Sequence, residues 1–468
     1  TIDVAVFPGS SNGSSSSSSK SGSGGGGGSS SNSKNTIFHS SGVHGVEGFV
    51  GSAIQLALLQ EGVLPFLGDG DDSDEDDKND AERPNLVLIH AVNPVGMHQH
   101  RRFNEQNVDL NRNCLIDSNY ADDDNDDDDV SGEQELIRQR QNQNQKQYFD
   151  SFVANRDPNI ANYEDFRDFL APTGDDDDDD PHKNKNGRQY PTTFYQHIGI
   201  WLRILPKLIQ HGYTHLKRSM VSGQYHHPKG LFFGGQELQP SITQLIHFLN
   251  TVRPDLLYGS LETSALDADG ENTAESAASP SASSSSSSSV VWIDVHSGLG
   301  PFGKDSLHCE IGNIAADPDG VEIDIDAIFP TAYRSTVGMD ADKHDESSAF
   351  SGYDLTKGGM TTMLKQMWES QYQNRNQQQR QQQKGLFVVQ EFGTMPGILV
   401  GRSLILDNML YQYRTNDSNG DKNSNIPDLS YRSPWLRYAF YPQSTEWRES
   451  VIKRGVSLVL DAINFVET

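Results

Sequence analysis

The sequence predicts an α/β protein in which a mixed, largely parallel sheet is flanked by helices on both faces. Short apolar runs rich in β-branched residues alternate with amphipathic helical patterns, the signature of strands joined by crossover helices. Several runs are apolar at successive positions, as expected of strands covered on both faces. Polar residues of chemical interest stand at the ends of those runs, where such sheets bind ligands.

The strand candidates are DVAVF (3–7), NTIFHS (35–40), NLVLIHAVN (85–93), VVWIDVHS (290–297) and GLFVVQEFG (385–393). Helical spacing is read at 49–60, 195–211, 241–250, 359–372 and 444–466. In the last, Trp447, Val451, Leu458, Val459 and Ile463 recur at roughly helical intervals with charges between them. No internal repeat is present.

Between these elements lie compositionally biased tracts near 9–35, 69–80, 117–133, 175–180, 271–289, 371–384 and 415–426. They are rich in Ser/Gly, Asp, Ser/Ala, Gln or Asn/Asp and hold too little apolar surface to offset the entropy of ordering, so they read as disordered inserts. Without them on the order of 330 residues remain, which suits one large domain over 1–468 rather than two small ones. The chain of 468 residues carries a net charge of −28. The acidic runs 69–80, 122–129 and 175–180 carry −7, −7 and −6 of it, leaving a core that is only mildly acidic. No basic stripe with interleaved aromatics points to nucleic acid, and no apolar run reaches membrane-spanning length. Two cysteines, Cys114 and Cys309, without CxxC spacing fit a reducing compartment, and a cytoplasmic location is expected. The chain begins with Thr1, so the lack of an N-terminal signal says little about compartment.

The stretch SSGVHGVEGFVGSAIQ (40–55) sets His44 and Glu47 three positions apart in a glycine-punctuated turn. Imidazole nitrogen and carboxylate oxygen are zinc donors, and positions i and i+3 can aim at one point. Taken alone, HxxE more often describes a surface His and Glu near a helix start. A third ligand has to come from far away, and His296, ending the VVWIDVH run, is the best placed; His39 and His90 lack comparable glycine-framed exits. The segment NPVGMHQHRRFNEQNVDLNRN (93–113) offers Arg102 and Arg112, planar cations suited to polarising a carbonyl or clamping a carboxylate. Asp109 could accept a ring N–H from His44 and hold its tautomer. Glu391, ending another apolar strand, could act as general base beside a metal.

In this order the motifs resemble the zinc carboxypeptidase (funnelin) superfamily: an HxxE pair, an NPxG segment followed by an arginine, Asp-x-Asn-Arg, a distant His before a small residue, and a Glu closing a late strand. The interval RRFNEQNVDLNR is similar to that of cytosolic carboxypeptidases. SSGVHGVEGFVGSAIQ, DVHSGLGPFG and SGQYHHPKGLFFGG look like a branch catalogued only as a domain of unknown function. The resemblance implies an eight-stranded mixed sheet and one Zn²⁺ per chain held by His44, Glu47 and His296. It implies Glu391 as general base, Arg102 as oxyanion stabiliser, and Asn111 and Arg112 as anchors of a substrate carboxylate. Tyr353, in FSGYDLTKG, is the candidate for the superfamily's substrate-contacting tyrosine, with a Gln-rich insert between it and Glu391. Within GQYHHPKG (223–230), Gln224 or Tyr225 either lines the pocket or belongs to a turn.

The expected function is zinc-dependent cleavage of an amide next to a free carboxylate. The substrate is a peptide C-terminus or, as in the aspartoacylase and succinylglutamate desuccinylase group, an N-acyl amino acid. A non-catalytic scaffold acting through its Asp and Gln tracts is the competing class, although no ligand or base is missing.

Overall fold

A computed structural model describes residues 2–9, 35–60, 62–64, 83–117, 131–171, 194–259, 288–312, 324–337, 350, 352–373, 383–417 and 431–467. The biased tracts named above fall wholly or mostly outside these residues. At their margins, regular structure reaches further than composition suggests: helices cover Ser131–Asn155, Met360–Gln373 and Gly397–Asp417.

The described strands are β1 (Asp3–Phe7), β2 (Thr36–Ser41), β3 (Asn85–His90), β4 (Ser288–Phe302), β5 (Asp305–Gly312), β6 (Arg334–Val337) and β7 (Gln383–Gly393). They form one mixed sheet in the order β1-β3-β2-β4-β7-β5-β6. Pairings β2·β3, β2·β4, β4·β7 and β5·β6 are parallel, while β1·β3 and β5·β7 are antiparallel. Seven strands, not the expected eight, lie among the described residues. Two of the seven, β5 and β6, are absent from the sequence reading, because DSLHCEIG and RSTV are too polar or too short to stand out before they pair.

Alternation along the central strands divides the core. Phe38, Val87, Ile89, Trp292 and Phe387 pack on one face against the helices Pro240–His247 and Met360–Gln373. Ile37, Leu86, Leu88, Val291, Ile293 and Val388 pack on the other, against Gly48–Leu58 and Thr445–Glu467. These residues are at most 4% exposed, and full burial of each such apolar side chain is worth ~1.5–3 kcal/mol. Both faces being covered explains why β2, β3 and β4 read as continuous apolar runs.

Because β2, β4 and β7 are parallel neighbours, their carboxyl ends lie together. Ser41 pairs with Val295, and His296 pairs with Glu391. The chain leaves β2 through Gly42, whose φ of +68° suits glycine. It then enters a short 3₁₀ turn, Gly45–Glu47, that leads directly into the helix Gly48–Leu58.

Candidate metal centre and cleft

The turn holding His44 and Glu47 is fixed from behind by the NPVG segment. Asn93 caps the helix Pro94–Gln99 by accepting from Gly96 N at 2.9 Å, with Pro94 in the first turn where its missing N–H costs nothing. Its Nδ2 donates to Arg102 O at 3.2 Å, and the Gly45 and Val46 amides donate to Arg102 O and Arg101 O. A Cβ on Gly45 would lie 2.1 Å from the Gly96 carbonyl carbon, so only glycine allows this approach. An HxxE spacing is thereby converted into two side chains held at one depth.

His44, Glu47 and His296 converge. His44 Nδ1 lies 3.1 Å from Glu47 Oε1, His296 Nδ1 lies 3.1 Å from Glu47 Oε2, and the two Nδ1 atoms are 3.1 Å apart. All three residues are buried. Donors bound tetrahedrally at zinc-like bond lengths lie about 3.3 Å from one another, close to this spacing. The opposite ring nitrogens meet carboxylates: His44 Nε2 is 3.1 Å from Asp109 Oδ1, and His296 Nε2 is 2.7 Å from Asp294 Oδ2. Asp294 thereby favours the His296 tautomer that presents Nδ1 to a metal, whereas His44 Nε2 also lies 2.6 Å from Arg102 Nη2 and is shared between that donor and Asp109. Two ring nitrogens facing each other cannot both donate a proton, and a shared cation removes that conflict.

Charge points the same way. Glu47, Asp109 and Asp294 are buried beside a single bonded guanidinium, Arg102, so the cluster carries an excess of negative charge that a divalent ion would neutralise. Burial alone would raise the Glu47 pKa, yet His44, His296 and Arg102 hold it well below the usual carboxylate range. Asp109 is likewise held low by Arg102 and His44 against its own burial. Burial would lower the His296 pKa, but Asp294 and Glu47 push it up to about 10. The residues present therefore fit a metal ion: a buried His-Glu-His cluster that could hold one.

Asp294 is a site residue that the sequence reading does not include. It orients His296 and is itself held by Ser40, whose hydroxyl donates to Asp294 Oδ1 at 2.8 Å and accepts from Trp292 Nε1 at 2.8 Å. The available signal is the spacing WIDVH, which puts Trp292, Asp294 and His296 on one face of β4. Asp294→Asn is expected to weaken metal binding by about 10- to 100-fold, measured by chelator competition.

The cluster opens into a cleft enclosing about 1440 Å³ of non-protein space, part of it continuous with solvent. His44, Arg102, Asn111, Arg112, His296, Tyr353 and Glu391 all border it. Arg102 donates from Nη1 to Glu47 Oε1 (3.0 Å) and from Nε to Asp109 Oδ2 (2.9 Å), so it braces the ligands while facing the cleft. Glu391 Oε1 accepts from Leu299 N at 2.8 Å. Burial, with Glu47 adding its charge, pushes the Glu391 carboxyl up to about 7. Arg112 donates from Nε to Val221 O and from Nη1 to Asn111 O, while its buried Nη2 has no hydrogen-bond partner among the described residues. Its guanidinium lies 5.6 Å from the Tyr353 ring centroid and 5.8 Å from that of Phe232. Asn111 accepts from Met360 N at 2.8 Å, leaving its amide nitrogen as the donor end. Burial, reinforced by Glu391, raises the Tyr353 phenol to about 12.

Of the two readings of GQYHHPKG, the structure shows the turn. Gln224 Oε1 accepts from the His226 and His227 amides, and Tyr225 donates to Arg112 O at 2.6 Å from a buried position away from the cleft. Cys114 and Cys309 are free and buried, and burial raises both thiols, which disfavours the reactive thiolate.

Fold and site together define an α/β protein with a buried His-Glu-His cluster at the carboxyl ends of parallel strands. The chain belongs to the family described as protein of unknown function (DUF2817), whose model matches residues 28–255 and 280–454. No curated protein and no solved structure matches it. Among the described residues, no helix is long and apolar enough to cross a membrane.

Proposed function

We propose that this chain is a zinc-dependent hydrolase of carboxypeptidase-like type, cleaving an amide bond adjacent to a free carboxylate. The observation that carries the reading is the combination in one cleft of the His44–Glu47–His296 cluster, the carboxyl of Glu391 with its raised pKa, and a buried Arg112 nitrogen without a partner among the described residues. The motif order that resembles the zinc carboxypeptidases supports it independently.

Zinc bound by His44, Glu47 and His296 supplies Lewis acidity to a carbonyl and makes water more acidic. Asp294 holds His296 in the tautomer that ligation requires, and Asp109 with Arg102 positions the His44 ring. Arg112 Nη2 and the Asn111 amide bind the substrate carboxylate and set the position of the neighbouring amide. Glu391 takes a proton from the attacking water and returns it to the leaving amine, work suited to a carboxyl whose pKa lies near neutrality. Arg102, fixed between Glu47 and Asp109, places a cationic donor beside the developing oxyanion. Tyr353 keeps its proton at neutral pH and remains a hydrogen-bond donor to substrate. Leu216, Met220, Val400 and Leu404 give the cleft an apolar wall suited to an apolar side chain or acyl group.

The test is hydrolysis of blocked peptides with free C-termini and of N-acyl amino acids, with Glu391→Gln as the blank. Release of C-terminal residues supports the peptidase. Turnover of acyl amino acids alone places the enzyme among deacylases, and silence on both removes the hydrolase reading.

A further inference from the structure

A second set of metal donors stands outside the cluster described above. Asp165, in the turn Ile160–Phe166, meets His211 at the end of the helix Phe194–His211 and His215 in the helix Tyr213–Val221. One ligand atom from each lies within 4.8 Å of the other two. His211 Nδ1 is 3.6 Å from Asp165 Oδ2, and His215 Nε2 is 3.8 Å from the same oxygen. Both are slightly wider than the ~3.3 Å between donors bound tetrahedrally at zinc-like distances, so modest side-chain rotation closes them on one ion. The side chains are 22%, 30% and 39% exposed for His211, His215 and Asp165, which leaves room for water to complete the coordination.

The surroundings hold the donors in place. Phe166 packs against both imidazoles, with ring centroids 5.5 and 5.8 Å away, and the two imidazoles are stacked at 5.5 Å. His215 Nε2 also lies 3.2 Å from Asn162 Nδ2, a contact that an ion bound there would replace. Lys207 bonds to the Asp165 backbone carbonyl, and the Asp165 carboxylate faces both histidines. The two helices meet at a break at Gly212, where φ is +83°. The same two helices present Ile204, Tyr213, Leu216 and Met220 to the cleft.

We infer that Asp165, His211 and His215 form a second metal site, for a divalent first-row ion of the zinc type, that fastens the helical wall of the cleft to the 160–166 turn. Two imidazoles and one carboxylate suit zinc, cobalt or nickel rather than calcium or magnesium, whose ligands are oxygens. The role is positional: the ion joins three segments and contacts no reacting atom. This inference is independent of the proposed hydrolase chemistry, since it concerns different residues and a different readout.

The test uses the untagged full chain, stripped with chelator, reloaded with zinc, dialysed and analysed for metal by mass spectrometry. About two zinc equivalents per chain are expected for wild type, and about one each for His211→Ala/His215→Ala and for His44→Ala/His296→Ala. Cobalt added to the His44→Ala/His296→Ala protein is expected to give visible d–d absorption that vanishes when His211 and His215 are also replaced. Asp165→Asn, which keeps shape and solvent exposure, guards against loss through unfolding and is expected to bind zinc more weakly than wild type. Equal zinc in wild type, His211→Ala/His215→Ala and Asp165→Asn, or a cobalt band that survives loss of His211 and His215, overturns the second site. Loss of metal only in the His211/His215 variants supports the second site while contradicting the first.

Discussion

Glu391→Gln is expected to lower kcat/KM by about 10²- to 10⁴-fold, the range over which a positioned general acid–base group contributes. Glutamine matches glutamate in size, and Glu391 accepts one backbone hydrogen bond from Leu299 N that an amide oxygen can still take. The protein should therefore remain folded and metal-loaded, and KM should change far less than kcat. The same group is expected to set the acid limb of the pH profile. In the proposed role Glu391 acts only when ionised, and burial with the adjacent Glu47 charge raises its pKa to about 7 in the absence of a cation. Bound metal adds positive charge and lowers that value. Activity is thus expected to be lost as pH falls through a midpoint between the ordinary carboxylate value and about 7. In the Gln variant the residual rate should lack this limb. A profile unchanged by the substitution would remove Glu391 from the proton transfer.

Arg112→Met is expected to cost about 10- to 150-fold in kcat/KM on substrates with a free carboxylate, corresponding to ~1.5–3 kcal/mol for a hydrogen bond to a charged group. Methionine keeps part of the apolar stem against Phe232 and Tyr353 but removes the unpartnered Nη2. The loss of the bonds to Val221 O and Asn111 O lowers stability as well, so thermal unfolding has to be measured alongside. The distinguishing readout is the substrate: the penalty should fall on free acids and largely spare the corresponding amides. An equal penalty on both would mean that Arg112 serves the scaffold rather than the carboxylate.

How much of this was legible in the sequence follows from what each feature depends on. β2, β3, β4 and β7 were readable because burial on both faces leaves a local trace, an unbroken apolar run. β5 and β6 left none, since their strand character comes from pairing, β5 with β7 and β6 with β5. The helix Ser131–Asn155 was hidden by its Gln- and Asn-rich composition, which resembles that of the neighbouring inserts. The candidate metal donors were legible as an ordered set of motifs, but their approach to 3.1 Å depends on the alignment of β2 with β4 and on the close packing at Gly45. Asp294 was overlooked because a carboxylate two residues before a histidine reads as a polar interruption until the strand face is known. The Asp165–His211–His215 grouping joins residues from three segments with no motif between them, so only the fold brings it to view.

The most direct measurement is release of C-terminal residues by the metal-loaded protein from blocked peptides, each presented as the free acid and as the C-terminal amide, with Glu391→Gln in parallel. The account predicts release from the free acids, little from the amides, and a rate in the variant lower by about two to four orders of magnitude. Equal release from acids and amides, or a rate that Glu391→Gln leaves unchanged, would contradict it.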